Sequence, residues 1–387
     1  MRLLLQNKSI EKVYIFSVII AFGLLFYANA ETQEAPDGSV VNLGIGKSFY
    51  LPCAIALISS LGLKKRKDSI EIALYFLMLF AILSSIVHPP MSSKVLEWNI
   101  TRFIFAILCF KGLRNINPLL FVKWLTLLSP IIVLPHYFLS NPFGYGEWRY
   151  GGFYGDANFL AIALNFIIAI CYLSYKVHQS KLVRACALVS ILSSIPLILV
   201  GMSRGGIIGL VIVLFCITYD TFRNQRKLFF ASCIAIVLFI SPLLMRFGDI
   251  FLLIESRFEN ETANARIEGI ISAYNVFSNL PELIPFGIGP GNTVPMMNYY
   301  RPFGYICAYS IHNTFVSIMY EMGLFAAIEY TMLYLYTFVH LYKSRMYMLI
   351  GLLASSALGL FTLPGSAFMP GWILLFFLSN HQIKLLK

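Results

Sequence analysis

One arginine stands where a charge is costly. Gly201-Met202-Ser203-Arg204-Gly205-Gly206 joins two apolar stretches, and Arg204 carries the only formal charge between Arg184 and Asp220. A charge near hydrocarbon costs about 2.5–3.5 kcal/mol on insertion scales unless it has a partner. The glycines allow close approach of a ligand, and a helix N-terminus favours an anion. The pattern predicts a phosphate-binding Arg204. The alternative is pairing with Asp156 or with lipid phosphate.

Arg266 repeats this pattern in the first turn of a helix that the spacing predicts over 264–280, with Asn264 as its N-cap. Two guanidinium groups suit a diphosphate, because each can bind two phosphate oxygens in a bidentate fork. The alternative for Arg266 is a surface pair with Glu261 or Glu268.

His312 and Asn313 lie where a long polar segment meets the next apolar stretch. Histidine exchanges a proton near neutral pH, as a general base must. The alternative is an interfacial histidine satisfied by its neighbours. Glu321, nine residues on, is about half a turn out of phase with His312. We interpret it as a buried, partnered carboxylate.

Weaker candidates for substrate contact belong to the same predicted face. They are Arg149, Asp156, Asn158, Ser203, Asn313, Gly289 and Gly291. Asp156 is also a good N-cap for the span that follows it. The glycine-rich segment at 287–291 lacks the lysine of a phosphate-binding loop. The seven cysteines show no zinc or disulfide spacing, and packing is the better interpretation of them. Neither a metal nor a cofactor is predicted.

The elements that position these residues are membrane helices. Of the 387 residues, 58% are hydrophobic and only 12% charged, with a mean hydropathy of +0.76. Apolar runs long enough to cross a bilayer recur along the chain. We therefore predict an all-α polytopic membrane protein with a single membrane domain over 1–387. About twelve spans are expected, at 13–30, 49–63, 70–87, 98–113, 118–139, 156–175, 183–200, 205–220, 228–245, 313–342, 346–363 and 367–380.

Most Lys and Arg residues fall in alternate loops between these spans, and these loops lie on one side of the membrane. The run from Lys64 to Lys67 is an example. The positive-inside rule then places both termini on the cytoplasmic side of the membrane, whether the first span is retained or is a cleaved signal peptide. The net charge of +11 is thus a topology signal and does not indicate nucleic-acid binding. The polar residues gather on the opposite face, chiefly in a loop over 246–312 that contains the amphipathic 264–280 helix.

The cytoplasmic loops are too short to hold a nucleotide-binding domain, and the chain has no phosphate-binding loop motif. These features argue against an ATP-driven pump and against an enzyme that uses a cytosolic nucleotide sugar. A transporter of lipid-linked oligosaccharides is a remaining alternative. Transporters tend to carry charges at mid-membrane and to show inverted repeats, and neither is visible in this sequence.

The order of these motifs resembles the O-antigen ligase and Wzy-type polymerase superfamily. The matching pieces run from Arg149 to Gly323, nearly half the chain. They are Arg149 with Gly155-Asp156-Ala157-Asn158, then Ser203-Arg204-Gly205-Gly206, then Ala265-Arg266 with Gly287 to Gly291, then His312-Asn313 with Glu321 and Gly323.

The resemblance implies a membrane glycosyltransferase of GT-C-like fold in a bacterial inner membrane, which takes a glycan from undecaprenyl diphosphate on the periplasmic side. No metal is needed if arginines stabilise the departing diphosphate. Arg204 and Arg266 would hold the diphosphate, and His312 would deprotonate or orient the acceptor hydroxyl. The acceptor is a repeat-unit glycan for a polymerase and lipid A core for a ligase. A polymerase would also work with a chain-length regulator of the Wzz type.

Two departures favour the polymerase. Ile208 lies four residues after Arg204, where ligases often have leucine, and Gly323 is not followed by the second glycine common in ligases. The intact His312-Asn313 pair points toward a ligase, so both remain open.

Overall fold

The computed structural model describes residues 2–27, 33–34, 40–41, 48–63, 68–89, 100–138, 157–201, 203–235, 261–290, 292–293, 296, 311, 313–361, 363 and 368–387. The side chains of 2–7, 33–34, 40–41, 204 and 261–268 lie outside this description.

The described residues are almost entirely helical, which confirms the predicted all-α class. Two-residue strands β1 (Gln33–Glu34) and β2 (Val40–Val41) form one short antiparallel pair. The helices are α1 (Arg2–Leu25), α2 (Tyr50–Leu61), α3 (Ser69–Val87), α4 (Arg102–Phe110), α5 (Pro118–Val133), α6 (Pro135–Phe138), α7 (Ala157–Val177), α8 (Lys181–Val200), α9 (Arg204–Phe222), α10 (226–235), α11 (Glu261–Asn279), α12 (Thr314–Met322), α13 (Leu324–Lys343), α14 (Tyr347–Leu360) and α15 (Met369–Leu378). Short 3-10 turns cover Lys111–Arg114, Pro281–Leu283 and Ile383–Leu386.

Six helices are long and apolar enough to cross a membrane within the described part of the chain. They are Ser69–Val87, Pro118–Phe138, Ala157–Val177, Lys181–Val200, Gly205–Phe222 and Leu324–Lys343. Three shorter apolar helices, α2, α14 and α15, accompany them. A multi-pass helical membrane protein is therefore confirmed, whereas the number of twelve spans stays a prediction. The described residues of the other three predicted spans belong to α1, α4 and α10.

Helix α7 is the centre of the bundle. Its apolar stretch is 83% buried, against 33–44% for the other five long helices. It packs against α5, α8, α9 and α14, and Phe166 and Ile167 lie fully inside the main hydrophobic core. A helix enclosed by protein tolerates polar side chains that a lipid-facing helix would not. The buried Asn158 and Asn165 of α7 are examples.

The predicted span over 313–342 is wrong as a single helix. Gly323 separates α12 from α13 with φ of +93° and ψ of 171°, a conformation open essentially only to glycine. The apolar pattern runs through this position without change, so the sequence does not show the break. Its cause lies in another segment, because the N–H of Leu324 donates to the carbonyl of Ile284 (2.8 Å).

The predicted helix over 264–280 is present, but its start is wrong. Within the described residues helix α11 covers Glu261–Asn279, so it already includes the three residues before Asn264. Asn264 is therefore inside the helix and is not its N-cap. One face of α11 packs Ala273 and Val276 into a small second core with Tyr320. Tyr274 on another face is 71% exposed.

Polar side chains hold the start of α3 to two other parts of the chain. At its start, Asp68 caps the helix by accepting from the N–H of Glu71 (3.0 Å) and pairs with Arg114 and His381. Asn380 reinforces this end by donating to the carbonyls of Leu113 and Ile116. We call Asp68, Arg114, Asn380 and His381 the polar clasp. It joins segments that the charge pattern assigns to one side of the membrane; that this side is the cytoplasm stays a prediction.

Candidate functional site

The first turn of α9 is held by a chain of buried hydrogen bonds. Ser203 is the N-cap of α9, and its Oγ accepts from the N–H of Gly206 (3.0 Å). The same Oγ donates to Oδ1 of Asn158 on α7 (2.6 Å). Both side chains are buried, at 0% and 9% exposure. The structure thus brings together Ser203 and Asn158, which the sequence proposes as substrate contacts, and gives each a structural partner.

Gly206 allows α9 to touch α7. A Cβ at this position would collide with the Cβ of Ala161, so only glycine permits the observed spacing of the two helices. The carbonyl of Gly206 accepts from Nδ2 of Asn165 on α7 (3.2 Å). We call residues 203–206, fixed in this way, the α9 start.

Arg204 is the first residue of α9, as the sequence predicts for an anion-binding arginine. The description covers its backbone, and its guanidinium lies outside it. The predicted grip on a diphosphate therefore stays a prediction.

Arg266 is the sixth residue of α11, so it lies in the second turn and not in the first. The expected alignment of its charge with the helix N-terminus is wrong, because α11 starts earlier than predicted. Its side chain is outside the description, so its role as a phosphate ligand stays a prediction.

Asn313 begins α12. Its Oδ1 accepts from the N–H groups of Phe315 (3.0 Å) and Val316 (3.1 Å), which is the geometry of an N-cap. Thr314 next to it donates to the carbonyl of Leu363 (2.6 Å). The start of α12 is therefore fixed in place. His312, which directly precedes the cap, lies outside the described residues.

The glycine loop, residues 287–290, folds onto the end of α12. The N–H of Ile288 donates to the carbonyl of Tyr320 (2.9 Å), and that of Gly289 donates to the carbonyl of Glu321 (3.1 Å). Gly287 and Gly289 have φ of +73° and +82°, which glycine adopts without strain. The N–H of Gly289 is thus occupied by protein, so the geometry favours a structural role. Its predicted role as a phosphate contact stays a prediction.

Glu321 is a buried, partnered carboxylate, which confirms the interpretation from the sequence. Its side chain is 4% exposed, and its Oε1 accepts from the hydroxyl of Thr293 (2.8 Å). Its carbonyl also accepts from the hydroxyl of Ser84 on α3 (2.6 Å). Glu321 therefore joins α3, the segment after the glycine loop and α12.

Sequence reasoning missed three residues of these networks: Ser84, Thr293 and Asn165. Asn165 carried a usable signal, because an amide inside an apolar span is costly unless it is paired. Ser84 and Thr293 carried none, since their partners are distant in sequence. Besides His312, three predicted residues, Arg149, Asp156 and Gly291, lie outside the described residues.

No group of three or more His, Cys, Asp or Glu side chains that could hold a metal ion occurs in the part of the chain that the structure describes.

The chain combines membrane-crossing helices with an arginine that directly follows the N-cap of one helix and an N-cap asparagine that directly follows a histidine. The chain is a multi-pass membrane protein that resembles the O-antigen ligases and Wzy-type polymerases. A sequence model of the O-antigen ligase family matches residues 188–331, from within α8 into α13. This confirms the resemblance inferred from the motifs.

The chain is also similar in sequence to one individual protein, the teichuronic acid biosynthesis protein TuaE of Bacillus subtilis (strain 168). The two chains are 25% identical over 197 residues, which cover 48% of this chain and 39% of TuaE. The matched stretch thus spans less than half the length of the curated relative.

Proposed function

We propose that the chain is a membrane glycosyltransferase that moves a glycan from undecaprenyl diphosphate to an acceptor sugar on the periplasmic face of a bacterial inner membrane. The observation that carries this proposal is the α9 start. It sets Arg204 at a helix N-terminus, within the stretch that matches the O-antigen ligase family. A GT-C-like fold and cytoplasmic termini belong to the same proposal.

In the reaction, the acceptor hydroxyl oxygen attacks the anomeric carbon of the donor glycan. The bond from that carbon to the diphosphate oxygen breaks, and its electron pair leaves with the diphosphate. His312 takes the hydroxyl proton as general base. Arg204 and Arg266 stabilise the negative charge that builds on the leaving group, since fixed cations lower the energy of such a transition state. The two arginines would thus supply the positive charge that a metal ion supplies in other transferases.

Arg149 would line the acceptor or the phosphate part of the proposed site, and Asp156 would be a further substrate contact. The substrates would be a lipid-linked oligosaccharide donor and a glycan acceptor, both reached from the bilayer or from the periplasm.

A repeat-unit polymerase is the form of the reaction that we favour, as Ile208 and the single glycine at Gly323 suggest. The match to a relative named for teichuronic acid biosynthesis supports the making of a polysaccharide. A chain-length regulator would be a partner of this form. An O-antigen ligase that transfers to lipid A core is the second candidate, favoured by the description of the matched family and by His312-Asn313.

The central test replaces Arg204 in cells that depend on this chain for surface polysaccharide. We expect Arg204→Ala to abolish the polymer at normal protein level. Arg204→Lys should be impaired as well, since an ammonium lacks the bidentate fork. Arg223→Ala is the matched control, because Arg223 follows the other end of the same helix and is exposed. Wild-type polymer in Arg204→Ala would reject the proposal.

A gene deletion separates the two reactions on a polysaccharide gel. Loss of a polymerase leaves lipid A core capped with a single repeat unit. Loss of a ligase leaves uncapped core and lipid-linked polymer that accumulates. Loss of donor movement across the membrane, without loss of transfer by purified protein, would indicate a transporter instead.

A further inference from the structure

One face of α7 serves as the docking surface for the α9 start. Asn158, Ala161 and Asn165 are spaced by three and four residues, so they lie on the same side of the helix over two turns. Each contacts the α9 start: Asn158 bonds Ser203, Ala161 packs against Gly206, and Asn165 bonds the carbonyl of Gly206. The contact between Ala161 and Gly206 thus lies between the hydrogen bonds of Asn158 and Asn165.

Asn165 is unusual within this face because it lies deep in an apolar span. It is 1% exposed, and an amide in such a place costs free energy unless hydrogen bonds replace its water. Its Nδ2 donates to Gly206, whereas its Oδ1 accepts no hydrogen bond from the described residues. The bond to Gly206 is therefore the contact that accounts for an amide at this position.

The hydrogen bonds of the two asparagine side chains flank the candidate catalytic arginine. Ser203, on one side of Arg204, is bound to Asn158, and Gly206, on the other side, is bound to Asn165. Only Arg204 and Gly205 lie between the two attached residues. The backbone from which the guanidinium extends is thus fixed relative to α7 at both sides.

We propose that Asn165 is a positioning residue, which sets the backbone of Arg204 on α7 so that the guanidinium meets the diphosphate of the donor. This rests on the proposed function, in which Arg204 binds that diphosphate. Asn165 touches neither substrate; it acts through Gly206.

The test uses the full chain, purified and reconstituted in lipid nanodiscs, with undecaprenyl diphosphate as the probe. Asn165→Leu removes the donor at similar volume. Ser174→Ala is the matched control, because Ser174 is a buried polar residue of the same helix, far from the α9 start. We expect Asn165→Leu to weaken binding of the probe about three- to tenfold, the scale of one hydrogen bond. The control should stay within about twofold.

Combination with Arg204→Ala separates positioning from a general loss of stability. In the Arg204→Ala background, Asn165→Leu should change probe binding by less than about twofold, since residues that act as one unit are not additive. Equal loss in both backgrounds would overturn the proposal. If Arg204→Ala itself binds the probe as wild type, the proposed function fails. If only Arg204→Ala loses binding, this inference alone fails.

A second pair of variants carries the test if Asn165→Leu does not accumulate. Gly206→Ala inserts a Cβ that collides with Ala161, and should weaken probe binding by moving the α9 start away from α7. Adding Ala161→Gly exchanges the two sizes, and should recover at least half of the lost affinity on a logarithmic scale. No recovery, in a protein that unfolds at the wild-type temperature, would overturn the proposal.

Discussion

Ser203 and Asn313 have the same task at two different helix starts. Each accepts hydrogen bonds from the first N–H groups of its helix, and each is adjacent in sequence to a candidate catalytic residue, Arg204 or His312. A cap fixes the direction in which the chain enters the helix. Residues that look like substrate contacts in the sequence can thus act by orienting the neighbour that does the chemistry.

Two substitutions of Asn313 distinguish a cap from a substrate contact. Asn313→Ala should lower the free energy of unfolding by about 1 kcal/mol, because the cap is lost. Asn313→Asp keeps an acceptor oxygen, so its melting temperature in detergent should equal that of the wild type. Transfer activity then decides the role. Wild-type activity in Asn313→Asp indicates a cap alone, and a large loss at unchanged stability indicates that the amide N–H also binds substrate.

At the scale of elements, the break at Gly323 and the glycine loop form one joint. The loop donates to the last carbonyls of α12, and the first N–H of α13 donates back to Ile284. These bonds replace the helical bonds that a continuous helix would make across the break. The second core lies directly beside the joint, through Tyr320 and Ile288.

Gly323→Ala should therefore be severely destabilising. The conformation at Gly323 costs a residue with a side chain about 1–3 kcal/mol, and its Cβ would collide with the carbonyl of Pro285. We expect a lower melting temperature in detergent and little protein in the membrane. Gly23→Ala is the control, because Gly23 lies inside α1 with the Ile132 side chain 3.3 Å from the added Cβ. A Gly323→Ala protein as stable as this control would contradict the assignment.

At the scale of the whole molecule, the polar clasp ties the end of the chain to its first half. His381 donates from its backbone N–H to the carbonyl of Arg114 (3.0 Å), whose guanidinium pairs with Asp68. Burial alone would raise the pKa of Asp68, but the hydrogen bond and charge of Arg114 outweigh it and lower that pKa from its ordinary value. Asp68 is therefore ionised at neutral pH and forms an ion pair with Arg114.

The stability that this pair contributes should depend on pH. Because the folded state lowers the pKa of Asp68, the contribution is fully present above the ordinary value and is lost as the pH falls through the folded value. Asp68→Asn, which keeps the helix cap, should cost about 1–2 kcal/mol at pH 7, because Asp68 is only partly buried and solvent screens its pair with Arg114. Its difference from the wild type should shrink below about pH 4.

Thermal unfolding in detergent between pH 7 and pH 3 measures this difference. Asp220→Asn is the matched control, because the Asp220–Lys176 pair is more exposed and should contribute less than about 1 kcal/mol. Equal effects of the two variants at pH 7 would show that the Asp68–Arg114 pair stabilises the fold no more than an exposed ion pair does.

Much of the architecture could be predicted, because a membrane helix is recognised in the sequence by the length of its apolar run. The caps at Ser203 and Asn313 follow equally local rules, although the sequence suggested other roles for them. The joint at Gly323 could not be predicted, since it depends on a loop some forty residues earlier in the chain. The same holds for Ser84 and Thr293. Hydrogen bonds between distant residues leave no periodic signal.

The bond from Ser84 to Glu321 spans 237 residues, and this separation has a consequence for biosynthesis. At about 5–20 residues per second, the ribosome needs roughly ten to fifty seconds between the two. During that time the Ser84 hydroxyl lacks its partner in the finished fold, and a serine in a helix can instead bond a carbonyl of its own helix. The half of the protein that carries the proposed chemistry is thus closed last, after translation has passed Glu321.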